Sequence, residues 1–152
     1  MKKKRINKEL LFVLTSGVVC FSFMTFILMV FPAVRLPEYK VQGIEAIFGG
    51  ATEEGLKFKF NLLSFVGYLL PFIVIIISII GFKTQKILFD IITMILIVIS
   101  GVLIALQPTI FISVNELSDV AVGYLIGPIL GIVFSVISMI FSISCLRTKL
   151  NK

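Results

Sequence analysis

Four long apolar segments alternate with shorter polar segments along the chain, and this alternation predicts the fold. The apolar segments cover residues 10–31, 62–81, 87–106 and 122–146. Each is close to or above the length of about 20 residues that an α-helix needs to cross the hydrocarbon of a bilayer. The pattern therefore predicts an all-α integral membrane protein built as a four-transmembrane-helix bundle.

The longest connection, residues 32–61, is expected to form an ordered outer loop. Four apolar residues in this loop have helical spacing, namely Val41, Ile44, Ile47 and Phe48. They predict a short helix at the membrane interface, which Gly49 and Gly50 end. Leu56, Phe58 and Phe60 alternate with lysines, which predicts an extended segment. The other connections are predicted to be a turn at 82–86, an outer loop at 107–121 and a tail at 147–152.

Positive charges are distributed unequally between the two sides of the predicted bundle. If the N-terminus is cytoplasmic, the cytoplasmic segments hold ten basic residues: Lys2, Lys3, Lys4, Arg5, Lys8, Lys83, Lys86, Arg147, Lys149 and Lys152. The outer segments then hold four: Arg35, Lys40, Lys57 and Lys59. Because basic residues in short loops favour the cytoplasmic side, we expect both termini to be cytoplasmic.

The composition supports a single membrane domain over residues 1–152. Of the residues, 59% are hydrophobic and only 14% are charged, whereas about a quarter are charged in a typical soluble domain. The net charge of +6 comes from residues that flank the apolar segments, so it indicates contact with lipid headgroups and not with nucleic acid. Lysines outnumber arginines 11 to 3, which we interpret as a sign of an AT-rich bacterial genome and hence of a plasma or inner membrane location.

The residue types argue against an enzyme. The chain has no His, which removes the usual base near neutral pH and the commonest metal ligand. Cys20 and Cys145 both lie in apolar segments without CxxC spacing, so we expect them to be buried small hydrophobes. The adjacent Glu53 and Glu54 offer too few oxygens for a calcium loop, and the common nucleotide-binding and hydrolase motifs are absent from the sequence. No catalytic, cofactor or metal site is predicted.

Small residues recur at every fourth position near the start of the last apolar segment, at Gly123, Gly127, Gly131 and Ser135. On a helix these positions form a narrow seam along which a neighbouring helix can approach closely. We favour packing within the chain, since three other helices are available, over a homo-oligomer interface. Pro128 lies inside this small-residue seam and is expected to leave a backbone carbonyl without a donor.

Asp90 is the acidic residue that the sequence places within a predicted span. An intramembrane carboxylate is a candidate proton carrier or cation site. However, Asp90 is expected about one turn inside its helix, where the helix dipole and Lys86 stabilise a carboxylate. We therefore favour a structural role, with no second ionisable residue expected at the same depth in another span.

A weak internal repeat links the two halves of the chain. Residues 16–18 and 100–102 both read SGV, and residues 67–69 and 123–125 both read GYL. A tandem duplication of a helix pair and convergence on residues that suit helix packing both explain the repeat.

Two functions fit these observations. The first is a small non-enzymatic scaffold, accessory or interaction subunit with a membrane-protein partner or a second copy of itself. The alternative is a transporter or channel component that uses Asp90 together with polar groups inside the bundle: Thr25, Ser64, Thr93 and Ser100.

Overall fold

The computed structural model of the chain describes residues 8–51, 57–117 and 122–150. The α-helices in these ranges are α1 (Lys8–Ile27), α2 (Gly43–Phe48), α3 (Leu62–Thr84), α4 (Ile87–Ala105), α5 (Gln107–Asn115) and α6 (Ile126–Leu150). A 3₁₀ turn at Leu28–Val30 extends α1. Within the described residues, four helices are long and apolar enough to cross a membrane, namely α1 with its 3₁₀ turn, α3, α4 and α6. By helix length and composition, the predicted count of four apolar spans is confirmed.

The long helices form a ring in which α1 packs chiefly against α3 and α6, and α4 packs against the same two helices. Consecutive long helices run in opposite directions, so both described chain ends lie at one end of the bundle. We call this the terminal end; it also holds the α3–α4 turn. The opposite end, which we call the cap end, carries the strands, α2 and α5.

Short strands give the cap end a structure that the helix pattern did not predict. The described strands are β1 (Pro32–Arg35), β2 (Lys40–Gln42), β3 (Gly50–Ala51), β4 (Lys57–Phe58) and β5 (Gly123–Tyr124). They pair as antiparallel sheets with the orders β2-β1-β5 and β3-β4. Val34 is paired with Val41 on one side and with Tyr124 on the other, so this sheet joins the first connection to the residues that precede α6.

An apolar cluster fills the space beneath the three-stranded sheet. Its fully buried members are Ala33, Val34, Val41, Ala46 and Phe111. The cluster joins β1, β2, α2 and α5. Ala33 and Val34 are consecutive in β1 and both buried, at a point where the pairing with β2 shifts register. The strands and short helices of the cap end therefore share one apolar core.

Within the first connection, the predicted interfacial helix and extended segment are both shorter than expected. The helix is α2, and Val41 lies before it in β2. Gln42 and Glu45 form a capping box at its start, and Gly49 ends it with a positive φ of 78°. A Cβ at Gly49 would collide with the carbonyl oxygen of Phe58. The extended segment is β4, while Leu56 lies outside the described residues.

The second and fourth spans end later than predicted. Helix α3 continues from the predicted end at 81 to Thr84, and Gln85 ends it in the left-handed conformation. Helix α6 begins at Ile126 instead of 122, because Gly123 and Tyr124 pair with β1. It continues past 146 to Leu150.

The predicted outer loop at 107–121 also contains a helix, α5, which follows α4 almost directly. Pro108 is in the first turn of α5, where its missing N–H costs no helical hydrogen bond. Glu116 ends the helix with a positive φ of 58°.

The faces that the long helices turn toward each other are rich in small and polar residues. On α4 and the start of α5 these buried positions include Asp90, Thr93, Ile97, Ser100, Ile104 and Gln107, and on α6 they include Gly131, Ser135, Ser138, Ser142, Cys145 and Lys149. The alternating spacing of three and four residues is the heptad spacing of left-handed helix bundles. Large aliphatic residues such as Val98, Val102, Val136 and Ile140 are exposed on the outside, as expected for a surface that meets lipid.

Candidate functional site: a buried ion pair and its hydroxyl pocket

The most unusual site in the bundle is an ion pair between Asp90 and Lys149 at the terminal end. Lys149 Nζ donates a hydrogen bond to Asp90 Oδ1 at 2.8 Å and lies 2.7 Å from Oδ2. It also donates to the carbonyl oxygen of Gly81 at 3.0 Å. Lys149 is only 2% exposed and Asp90 only 8%, so both charges are removed from water and neutralise each other.

Three helices place these groups together. Asp90 is in the first turn of α4 and Gly81 is in the last turn of α3, while Lys149 extends from the last turn of α6. The carboxylate therefore lies at the positive end of one helix dipole, and the ammonium lies at the negative end of another. A Cβ at Gly81 would be 2.9 Å from Phe89 Cβ, so glycine allows α3 and α4 to approach here.

This arrangement corrects the expected surroundings of Asp90. From the sequence we expect Lys86 as its neighbouring cation and no second ionisable residue at its depth. Lys86 is exposed, whereas Lys149 provides the buried partner. The prediction missed this pairing because it ended the last helix at 146 and assigned Lys149 to a solvated tail.

A small pocket lies beside the ion pair, with a volume of ≈10 Å³. Its lining consists of Thr15, Val18, Ser78, Asp90, Thr93, Ser142 and Cys145. Within the described part of the chain, the hydroxyl oxygens of Ser78, Thr93 and Ser142 have no hydrogen-bond partner. Buried polar groups without partners are rare in native proteins, so this pocket requires a further explanation.

An apolar layer closes the pocket toward the middle of the bundle. It consists of the buried side chains of Val18, Val74 and Ile97. A hydroxyl layer around a second cavity of ≈10 Å³ follows, with Ser22, Thr25, Ser100, Ser135 and Ser138 in its lining. Leu28, Tyr68 and Ile104 form another apolar cluster nearer the cap. Polar and apolar layers therefore alternate along the bundle axis.

Several polar groups in the upper layers are paired within the chain, whereas Ser64 Oγ, Asn61 Nδ2 and Gln107 Nε2 have no hydrogen-bond partner among the described residues. The hydroxyls of Ser22 and Ser138 are 3.1 Å apart, and Thr25 donates to its own helix at Phe21 O. Tyr68 donates its hydroxyl hydrogen to Gln107 Oε1 at 2.8 Å. Ser64 is buried next to Asn61, which caps α3 by accepting from the Ser64 amide.

The small-residue seam is divided between two elements. Gly123 belongs to β5 and not to the helix, which corrects its predicted position. On α6, a Cβ at Gly127 would be 3.0 Å from the carbonyl oxygen of Pro32, and one at Gly131 would be 2.8 Å from Ile104 Cγ2. Ser135 is close to Gly101 of α4, where a Cβ would be 3.3 Å from Ser135 Cβ. The helical part of the seam thus contacts other elements of the same chain.

Pro128 does not interrupt α6, contrary to the expectation from the sequence. It is the third residue of a helix that starts at Ile126. The first backbone N–H groups of a helix have no intrahelical acceptor, so proline at this position removes no helical hydrogen bond.

Among the described residues, the cysteines and acidic side chains form no metal-binding cluster. Cys145 is 4% exposed, as expected, but Cys20 is exposed on the outer surface of α1. Within the described ranges, no group of three or more Cys, Asp or Glu side chains is placed to hold a metal ion. Glu53 and Glu54 lie outside these ranges.

The four apolar helices and their ion-paired interior place this chain in the class of multi-pass membrane proteins. The chain matches no protein-family model, no curated protein and no solved structure in these three comparisons.

Proposed function

We propose that the chain is a non-enzymatic scaffold, accessory or interaction subunit of a bacterial plasma or inner membrane, with both termini cytoplasmic and residues 32–61 forming an ordered outer loop. The excess of basic residues at the terminal end supports this orientation. Four crossings also require both ends on one side. The exposed apolar outer surface supports the bilayer as the surrounding medium.

The observation that carries the interaction role is the location of the larger concavities. Two grooves of ≈370 Å³ and ≈320 Å³ open on the outside of the bundle, whereas the pockets beside the axis described above are ≈10 Å³ each. The larger groove lies between α4 and α6 and has Gly101, Ala105 and Ser135 among its lining residues. The other lies between α1 and α3, on the opposite side of the ring. Small residues in an outward groove suit the close approach of a partner helix.

Site-specific photo-crosslinking in the native membrane tests this role. A photoreactive residue replaces Val136, which is 55% exposed and lines the larger groove. We expect a crosslink to one defined protein, identified by mass spectrometry. The matched probe replaces Phe23, which is exposed on α1 and lines neither groove. Crosslinks to lipid alone at Val136, or the same proteins at both positions, would reject the interaction role.

Cysteine accessibility tests the orientation. The two native cysteines are first replaced by Ala, and a single cysteine is then placed at Glu38 or at Lys152. A membrane-impermeant maleimide applied to intact cells should label the Glu38→Cys protein and not the Lys152→Cys protein. The reverse pattern would invert the proposed topology.

A specific observation also supports the alternative function as a transporter or channel component. Asp90 is a buried, ion-paired carboxylate inside a span, which makes it a candidate proton carrier or cation site. Asp90→Asn should then abolish coupled ion or proton flux in proteoliposomes while the protein still inserts. Unchanged flux would remove Asp90 from any transport mechanism. The apolar layer of Val18, Val74 and Ile97 beside the pocket makes the interaction role the better supported one.

A further inference from the structure

The pocket next to Asp90 contains several buried oxygens that the described chain leaves without hydrogen bonds. They are Ser78 Oγ, Thr93 Oγ1, Ser142 Oγ and Asp90 Oδ2. The three hydroxyl residues are 7%, 3% and 1% exposed. All four residues line the same ≈10 Å³ cavity.

Several other hydroxyls of this bundle are paired within the chain, although Ser64 Oγ, outside the pocket, is also buried without a partner among the described residues. A helical Ser or Thr commonly donates to the carbonyl four residues before it. Five hydroxyls of this chain do so: Thr15, Thr25, Thr84, Ser144 and Thr148. Ser78, Thr93 and Ser142 do not, and their oxygens border the cavity instead.

We propose that this pocket is a binding site for one water molecule, coordinated by Ser78, Thr93, Ser142 and the Asp90 carboxylate. A cavity of roughly 10–15 Å³ is sufficient for a single water that has two to four polar partners. The water donates to Asp90 Oδ2 and to one hydroxyl oxygen, and it accepts from the other two hydroxyls. The site satisfies four buried groups at once.

Water fits this pocket better than a metal cation does. The Lys149 ammonium is 2.7 Å from Asp90 Oδ2 and already balances the carboxylate charge. A second cation would be repelled by that ammonium at short range and low dielectric. A neutral ligand that both donates and accepts has no such penalty.

The bound water completes the environment of the ion pair. A carboxylate has about four acceptor positions, and Lys149 provides one hydrogen bond, to Oδ1. A buried ion pair is favourable only when its remaining hydrogen-bonding groups are also satisfied. The proposal does not depend on whether the protein has a partner in the membrane.

X-ray hydroxyl-radical footprinting of the full-length protein in lipid nanodiscs tests the site. Radiolysis of a bound water produces radicals beside Cys145, which lines the pocket and is buried. Cys20 is the internal reference, because it lies on the outer surface of α1 where lipid replaces water. We expect Cys145 to be oxidised several-fold faster than Cys20. Equal rates would show a dry pocket and overturn the proposal.

Thr93→Val separates a bound water from bulk water that reaches Cys145. This change removes one of the four partners of the water with little change in side-chain volume, so the water is held less firmly and oxidation of Cys145 should fall below its wild-type rate. The matched control is Thr148→Val, since the Thr148 hydroxyl is already bonded to Ser144 O and does not line the pocket. Unchanged oxidation in Thr93→Val would overturn the proposal.

Two further measurements keep the test decisive. If Thr93→Val does not fold, Ser142→Ala replaces it, with Ser144→Ala on the same helix as its control. Thermal unfolding of the wild type is also compared in NaCl, KCl and choline chloride. Equal unfolding temperatures support water, whereas stabilisation by Na⁺ or K⁺ that Thr93→Val abolishes would show a cation and overturn the proposal.

Discussion

Ser100 donates its hydroxyl hydrogen to the carbonyl oxygen of Gly67 at 2.8 Å, from α4 to α3. This carbonyl lies four residues before Pro71, which has no N–H to donate to it. The neighbouring helix therefore supplies the hydrogen bond that proline removes. In a bilayer no water would otherwise satisfy the group.

We expect Ser100→Ala to destabilise the bundle by about 1 kcal/mol, because it leaves the Gly67 carbonyl buried and unpaired. Reversible unfolding in bicelles measures this free energy. In a Pro71→Ala background, the restored N–H donates to Gly67, so the same substitution should cost less. Equal costs in both backgrounds would show that Ser100 and Pro71 are not coupled.

The ion pair predicts a strong dependence on Lys149. Lys149→Met leaves the Asp90 carboxylate buried without its cation, and the free energy of unfolding should fall by about 3–5 kcal/mol. The double variant Asp90→Asn/Lys149→Met should recover most of this loss, since no unpaired charge remains. Arg147→Met, on the exposed side of the same helical turn, is the control and should have little effect. A similar loss of unfolding free energy in Lys149→Met and Arg147→Met would contradict a specific role for the ion pair.

Two glycines of the small-residue seam should respond differently to the same substitution. A Cβ at Gly131 would lie 2.8 Å from Ile104 Cγ2, and Ile104 is only 1% exposed and cannot move away. Gly131→Ala should therefore destabilise the bundle by about 1–3 kcal/mol through overpacking. At Gly123 the nearest atom would be Arg35 Cβ at an ordinary 3.7 Å, so Gly123→Ala should be tolerated. Thermal unfolding of the two variants compares them, and equal losses would show that the seam acts as a single unit.

The ion pair of the cap predicts a measurable pKa. Lys59 Nζ is 2.6 Å from Glu116 Oε1 and holds the pKa of the Glu116 carboxyl below its ordinary value. Because the folded-state pKa is lowered, the stabilisation is present above the ordinary glutamate pKa. It disappears as the pH falls through the lowered value.

Carboxyl ¹³C NMR titration of Glu116 checks this prediction. Lys59→Met should raise the pKa of Glu116 toward its ordinary value. Lys57→Met is the control. Lys57 lies two residues before Lys59 and is exposed like it, but it is not the partner in this ion pair. If the pKa of Glu116 stays the same in Lys59→Met, the pair does not persist in solution.

The internal repeat illustrates how similar sequences adopt different structures. Gly67 and Tyr68 lie within α3, and Tyr68 is buried with its hydroxyl on Gln107. Gly123 and Tyr124 lie in β5, and Tyr124 is exposed, although its hydroxyl donates to the carbonyl of Ala105. The two segments are therefore not structurally equivalent, which weakens the interpretation as a duplicated helix pair.

Part of the interior could have been predicted from the sequence. Asp90, Thr93, Ser100 and Gln107 occur at combined heptad spacing within an apolar segment. Ser135, Ser138 and Ser142 repeat the pattern in the last segment. This spacing indicates a shared buried face. The hypotheses drawn from the sequence named Asp90, Thr93, Ser100 and Ser135 but did not group them together.

The sequence by itself determined the four long apolar helices and the distribution of charge around them, because length and hydropathy are local properties of each segment. Tertiary structure alone decided the pairing of Lys149 with Asp90, the pairing of β5 with β1, and the grouping of Ser78, Thr93 and Ser142 around one pocket. Each of these joins residues that are far apart in the chain. Lys149 would be a solvated tail residue on an isolated helix, and it becomes a buried cation only because α6 docks against the ends of α3 and α4.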